Sequence, residues 1–283
     1  MELTTSLNDL RGHLSPLFRY KSAEQAFKEL GELRPQIKEE LDKRVAKAIA
    51  KGYIHRKPQS AFWEALMLIK WNMVYADLDN LFISTGPEGV GKSNLDLVVG
   101  ILVDETFEPE TLKNRILYTS TDIHDFLDNE PQYSFALVDE GGSLFSSRDF
   151  NSPESRSMIR LLMTAREDVN RMIAVNVPYF GRLDTFLRND RLRFVVQGKF
   201  VFHPKYLTLQ KGIFNAYTAE SSQAIKLDTS GKLRFPRPDI TGYCPGVGGN
   251  LWRAYKAISG PKKKELRERE REKLLNGYGR DSQ

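Results

Sequence analysis

The 283-residue chain is poor in metal-binding and cross-linking side chains: it has one cysteine, Cys244, and four histidines, His13, His55, His124 and His203. A lone thiol excludes an intramolecular disulfide and a cysteine-based zinc site, and it suits a reducing compartment. The histidines show no ligand spacing, which argues against a catalytic metal held by imidazole. Cys244, between Tyr243 and Pro245, reads as a small apolar filler in a turn. Long apolar runs are missing too. The longest stretch, 62–75, is broken by Glu64, Lys70 and Asn72 and is too short to span a membrane. No signal-peptide pattern opens the sequence and no internal repeat divides it, so the expectation is a soluble, cytoplasmic protein. Charge is close to balanced, at +5 with a pI near 9.1. That suits a nucleic-acid partner without demanding one.

What remains is ordinary globular composition, 40% hydrophobic and 11% aromatic, enough for a buried core. Residues 1–78 read as a helical N-terminal region. Pro35 stands at a first-turn position, followed by Ile37, Leu41, Val45, Ala48 and Ile49, with Gly52 just past the end. A second helix from Ser60 to about residue 76 is apolar on most sides and therefore buried. Residues 79–205 alternate strand and helix, which predicts an α/β fold: a RecA-like P-loop core with a mostly parallel sheet flanked by helices. Within it a helix is expected from Ser152-Pro153 to Ala165. Residues 206–260 read as a hairpin and irregular extension, and 261–283 as a charged tail with an exposed helix over 261–273.

The strongest motif is Gly86-Pro-Glu-Gly-Val-Gly91-Lys92-Ser93, a complete G-x-x-x-x-G-K-S between an apolar strand and an apolar helix. Its glycines let the backbone curl so that N–H groups point at phosphates, and the helix adds the positive end of its dipole. The candidate nucleotide-binding residues are Gly86, Glu88, Gly89, Val90, Gly91, Lys92, Ser93 and Asn94. Lys92 would reach the β- and γ-phosphates and Ser93 would ligate Mg2+. Downstream, Phe135-Ala-Leu-Val138 runs into Asp139-Glu140. Asp139 is the second candidate for the metal, and Glu140 the general base that orients and deprotonates water. The acidic pair argues against kinases, and the missing Asn-Lys-x-Asp motif argues against switch GTPases, leaving ATP as the nucleotide.

Asn176 ends the apolar strand that should lie beside the P-loop strand. It is either a sensor of the γ-phosphate or the start of the turn before Pro178. Arginines are frequent from Arg148 to Arg193. An arginine finger supplied by a neighbouring subunit would neutralise transition-state charge, and Arg188 and Arg191, after the Asn176 strand, are the candidates. The loop from Gly141 to Arg148 offers either phosphate contacts or a packed Phe145. The tail, with Lys262-Lys263-Lys264 and alternating Arg and Glu, is either a solvated face or a site for nucleic acid or a protein partner.

Taken together, residues 137–196 resemble the FtsK/HerA superfamily of DNA translocases, in particular its viral packaging-ATPase and Zot-like branches. The likeness rests on the P-loop, Val138-Asp139-Glu140, Leu144-Phe145-Ser-Ser-Arg148, Thr164-Ala-Arg166 and Leu183-Asp-Thr-Phe-Leu187-Arg188. Many members carry Gln where Asn176 stands, and filamentous-phage Zot-like proteins typically carry a membrane span that is not evident here. The resemblance therefore implies the packaging or DNA-transfer branch: a homo-oligomer, a hexameric ring with ATP at its interfaces that threads double-stranded DNA. The alternative is an assembly or switch ATPase that remodels or loads a protein partner docked on the N-terminal helices.

Overall fold

The computed structural model describes residues 23–58, 60–75, 80–142, 144–145, 170–183, 187–188, 192–203, 208–227 and 232–278. In chain order the elements are α1 (Ala23–Ala50), α2 (Ala61–Tyr75), β1 (Asn80–Thr85), α3 (Lys92–Val103), β2 (Ile116–Leu117) and α4 (Ser120–Asn129). There follow β3 (Phe135–Val138), β4 (Met172–Val177), β5 (Leu192–His203), β6 (Thr208–Thr218) and α5 (Ala219–Gln223). The chain continues through β7 (Lys226–Leu227), β8 (Leu233–Arg234), β9 (Ile240–Tyr243) and α6 (Gly249–Tyr278).

The main sheet has the order β2-β3-β4-β1-β5-β6-β9, with β7 and β8 forming a separate ribbon. Strands β2 to β5 run parallel, while β6 and β9 are antiparallel additions. The first four strands are buried along their whole length, as strands covered by helices on both faces must be. Period-two alternation sorts their side chains between two cores. Phe82, Leu137 and Ala174 face α1, α2, α3 and the start of α6. Leu81, Ile83, Ala136, Val138 and Val175 face α4 through Ile123, Phe126 and Leu127. The fold is thus the expected α/β arrangement, with β4 inserted between the P-loop strand β1 and the acid-bearing strand β3.

Helix α1 buries Ile37, Leu41, Val45 and Ala48 and leaves Ile49 at 41% exposure. Tyr53 N–H bonds Ala48 O and Gly52 N–H bonds Ile49 O, with Gly52 at φ +67°, a Schellman end. Pro35 lies inside this helix. It was expected in the first turn, but the Ala-, Glu- and Leu-rich residues before it carry the helix upstream. The hairpin is one long ribbon, because β5 runs to His203, with a register irregularity between Lys199 and Val201, and β6 returns beside it. The C-terminal helix starts at Gly249, well before the predicted 261, and passes through Pro261. Its buried Leu251, Tyr255 and Ser259 stand four apart and fix that earlier start. The helix expected at 152–165 lies outside the described residues.

Candidate functional site

The P-loop connects β1 to α3. Gly86 has φ +133°, and a Cβ there would sit 2.6 Å from Gly198 O on β5, so only glycine allows this approach. Gly91, at φ 105°, caps α3 and accepts a bond from Leu95 N–H at 3.0 Å. Val90 is buried against Gly198, while Glu88 and Gly89 are exposed at the rim. The Lys92 ammonium folds over the loop and donates to Gly86 O at 2.7 Å and Pro87 O at 3.0 Å. Burial lowers its pKa against the pull of Asp96, Glu140, Glu88 and Asp139. The Asn94 side chain is committed elsewhere. It donates to Pro245 O at 3.1 Å and Cys244 Sγ at 3.3 Å and accepts from Val247 N–H at 3.0 Å, which fastens the segment between β9 and α6 to the P-loop helix.

The parallel register delivers the other groups to the same end of the sheet. Ser84 pairs with Asn176, and Leu117 pairs with Val138, so the residues just past β2 and β3 and Asn176 near the end of β4 converge on the start of α3. This is the carboxyl end of the strands, where α/β sheets hold their ligands. Asp139 is 1% exposed. Its Oδ1 accepts from Ser93 Oγ at 3.3 Å and Asn176 Nδ2 at 3.1 Å, and the same amide reaches Ser93 Oγ at 3.1 Å. The structure therefore brings Lys92, Ser93, Asp139 and Asn176 together. Glu140 follows in the left-handed region, at φ 62°, sparsely populated by non-glycine residues and often found at functional sites. Gly141 N–H bonds Asn176 O at 3.0 Å and a Cβ on Gly141 would strike Val175, so the turn that aims Glu140 is clamped on β4.

Ser93 and Asp139 fit a hard divalent cation. Both offer oxygen, and Mg2+ takes one or two protein oxygens when phosphates supply the rest. Among the described residues no cluster of three or more His, Cys, Asp or Glu could hold a metal unaided. Arg188 is half-buried beside buried Leu187, on the path from β4 to β5. Arg191, Arg148 and Arg166 lie outside the described residues. Phe145 is buried in the core, which resolves the first part of its loop in favour of packing.

Three residues beside the carboxylates were missed in the sequence. Tyr118 Oη donates to Asp139 Oδ2 at 3.2 Å and Tyr255 Oη at 2.6 Å. Lys263 Nζ lies 3.0 Å from Asp139 Oδ2 and 2.8 Å from Glu140 Oε1. Burial and the Asp139 charge push both phenols above their usual range. Burial works to lower Lys263, but the Asp139 and Glu140 carboxylates outweigh it and hold the ammonium above its usual range. Tyr118 was within reach of a register argument, since it follows the strand that pairs with the Asp139 strand. Beneath the P-loop, Ser84 O–H donates to the fully buried Asp96 carboxyl, whose pKa burial lifts from 3.8 to about 8.

The chain matches no protein-family model and no curated protein. It is similar in structure to the N-terminal domain of zonular occludens toxin from Neisseria meningitidis, at 18% identity and a TM-score of 0.35 over 57% of this chain and 95% of that one. It is also similar to the genome packaging NTPase of Sulfolobus turreted icosahedral virus 2, solved with ATP-gammaS, at 12% identity and a TM-score of 0.33 over 56% and 97%. The DNA-packaging ATPase of Sulfolobus turreted icosahedral virus follows at 13% identity and a TM-score of 0.30, over 56% and 97%. Likeness this distant adds no weight to any residue's role, which rests on the geometry above. No described helix is long and apolar enough to cross a membrane.

Proposed function

We propose that this protein is a Mg2+-dependent ATPase whose hydrolysis drives double-stranded DNA. The observation that carries the reading is the meeting of Lys92, Ser93, Asp139 and Asn176 at the carboxyl ends of β1, β3 and β4, with Glu140 beside them. The P-loop N–H groups and Lys92 hold the phosphates. Ser93 and Asp139 would hold Mg2+, which when bound neutralises phosphate charge. Glu140 takes a proton from water as the water oxygen bonds the γ-phosphorus and the bond to the ADP oxygen breaks. Asn176, tied to both Ser93 and Asp139, is placed to register whether the phosphate is present. Its alternative reading as a plain turn starter has less support, because its amide points at the site.

The DNA partner is supported by the FtsK/HerA-like motifs and the mildly basic charge. With that family likeness come a hexameric ring and an arginine finger, Arg188 or Arg191, reaching a neighbouring subunit. A remodelling ATPase docked through its N-terminal helices is less well supported. Described apolar residues of both helices, Ile37, Leu41 and Val45 of α1 and Phe62, Trp63 and Leu66 of α2, pack inside the chain's own core and are not offered to a partner. The test is steady-state ATP hydrolysis with and without linear double-stranded DNA, with Glu140→Gln as control. Stimulation by DNA that vanishes in the variant is expected. Hydrolysis indifferent to DNA would remove the translocase reading and leave an ATPase of another kind.

A further inference from the structure

Lys263 occupies an unusual place for a residue of a charged tail helix. Its ammonium bridges the two carboxylates to which the ATPase reading gives the metal and the attacking water. Tyr255, two turns earlier on α6, donates to the same Asp139 oxygen. With Tyr118 they place three donors on Asp139 Oδ2, and Lys263 also engages one oxygen of Glu140. An ammonium bonded to Glu140 competes for the lone pair that a general base needs, and its positive charge repels a divalent cation beside Asp139.

The helix that brings Lys263 here is held unevenly. Its first half is anchored, with Leu251, Tyr255 and Ser259 buried and Trp252, Ala254 and Ile258 packed on the core. Gly260 and Pro261 come next. A Cβ on Gly260 would meet nothing within 4 Å, and Pro261 has no N–H to return to the carbonyl of Ala257. Glycine and proline together make this the weakest point of the helix. Beyond it the described side chains are mostly exposed, and Leu266 packs against the core only in part. The pairs Lys264–Glu268 and Arg269–Glu265 are surface pairs within the helix and do not fasten it to the sheet. Lys263 thus sits two residues past a breakpoint, where a small rotation withdraws it while Tyr255 stays anchored.

We propose that the α6 segment beyond Gly260 is a built-in latch, in which Lys263 holds Asp139 and Glu140 at rest and must leave before metal and nucleotide can use them. The inference rests on the ATPase reading of those two carboxylates. A latch that closes the competent state lowers apparent affinity by the fraction of molecules that are open. Removing the cation must therefore lower the Mg2+ requirement, and stiffening the hinge must raise it.

The experiment measures binding of ATP-gammaS to the full chain as Mg2+ is varied, together with amide hydrogen exchange over residues 262–272. For Lys263→Met the Mg2+ concentration for half-maximal binding should fall by about three- to tenfold. Gly260→Ala, whose added methyl has open space, should move it upward by up to about fivefold. In the wild type, residues 262–272 should exchange faster once Mg2+ and ATP-gammaS are bound. Binding that proceeds with unchanged exchange, and with the same Mg2+ requirement in Lys263→Met, overturns the latch alone. No nucleotide binding by wild type or variant overturns the ATPase reading and the latch with it.

Discussion

Two charge clusters lie at opposite ends of the same sheet, and they are built differently. At the amino ends of β2 and β3, Arg115 is 1% exposed and pairs with Asp104 at 3.2 Å and Glu130 at 2.8 Å. Asp104 also accepts from Phe135 N–H at 2.8 Å, Thr106 N–H at 2.8 Å and Thr106 Oγ1 at 2.7 Å. At the carboxyl ends, Asp139 and Glu140 are met by Ser93, Asn176, two phenols and Lys263. The lower cluster takes its cation from Arg115, the fully buried residue that leads directly into β2. The upper cluster takes its cation from a half-exposed lysine past a Gly-Pro break. A buried cluster with fixed partners holds a fold together, whereas one whose cation can leave suits an exchangeable ligand.

That contrast can be broken in order of expected effect. Arg115→Met removes the cation from the buried Asp104 and the partly buried Glu130, and stability should fall by about 3–5 kcal/mol in urea denaturation, with ATP-gammaS affinity unchanged in the fraction that stays folded. A loss below about 1 kcal/mol would make the lower cluster as dispensable as a surface pair.

Asp96 gives the next test. Its folded pKa of about 8 lies above the ordinary 3.8. Its contribution to stability is therefore complete below about pH 4 and lost as pH rises through about 8. Asp96→Asn should gain on the wild type steadily between about pH 5 and about pH 9, read from denaturation midpoints. A difference that stays flat with pH would show that Asp96 is not held protonated beneath the P-loop.

The smallest effect belongs to the upper cluster. Lys263→Met should change stability by less than about 1 kcal/mol, because its partners keep other donors. A loss as large as that of Arg115→Met would make the two clusters equivalent and erase the distinction.

The sequence carried some of this and hid the rest. The P-loop was legible because its glycines, Lys92 and Ser93 are contiguous and each answers a local need for backbone curvature or charge. Asp139 and Asn176 were legible as polar residues closing apolar strands, and the parallel register then placed them together. Tyr255 and Lys263 were not legible, since their partners are 116 and 123 residues away and only tertiary packing decides the match. The lysine run at 262–264 looks like a solvated face, and Lys264 fits that description. Lys263 does not, and nothing local marks the difference. The same limit explains α6, whose buried stripe begins within a Gly-rich stretch, and the long β5–β6 ribbon, whose pairing is non-local.

The central claim is that Glu140 does the chemistry at a site where Lys92 and Ser93 hold the nucleotide. It is tested most directly by measuring, on Glu140→Gln beside the wild type, both Mg2+-dependent ATP binding and phosphate release. The account predicts binding kept within a few-fold and release slowed by about 10²- to 10⁴-fold. Release at the wild-type rate would contradict it and take the base role away from Glu140.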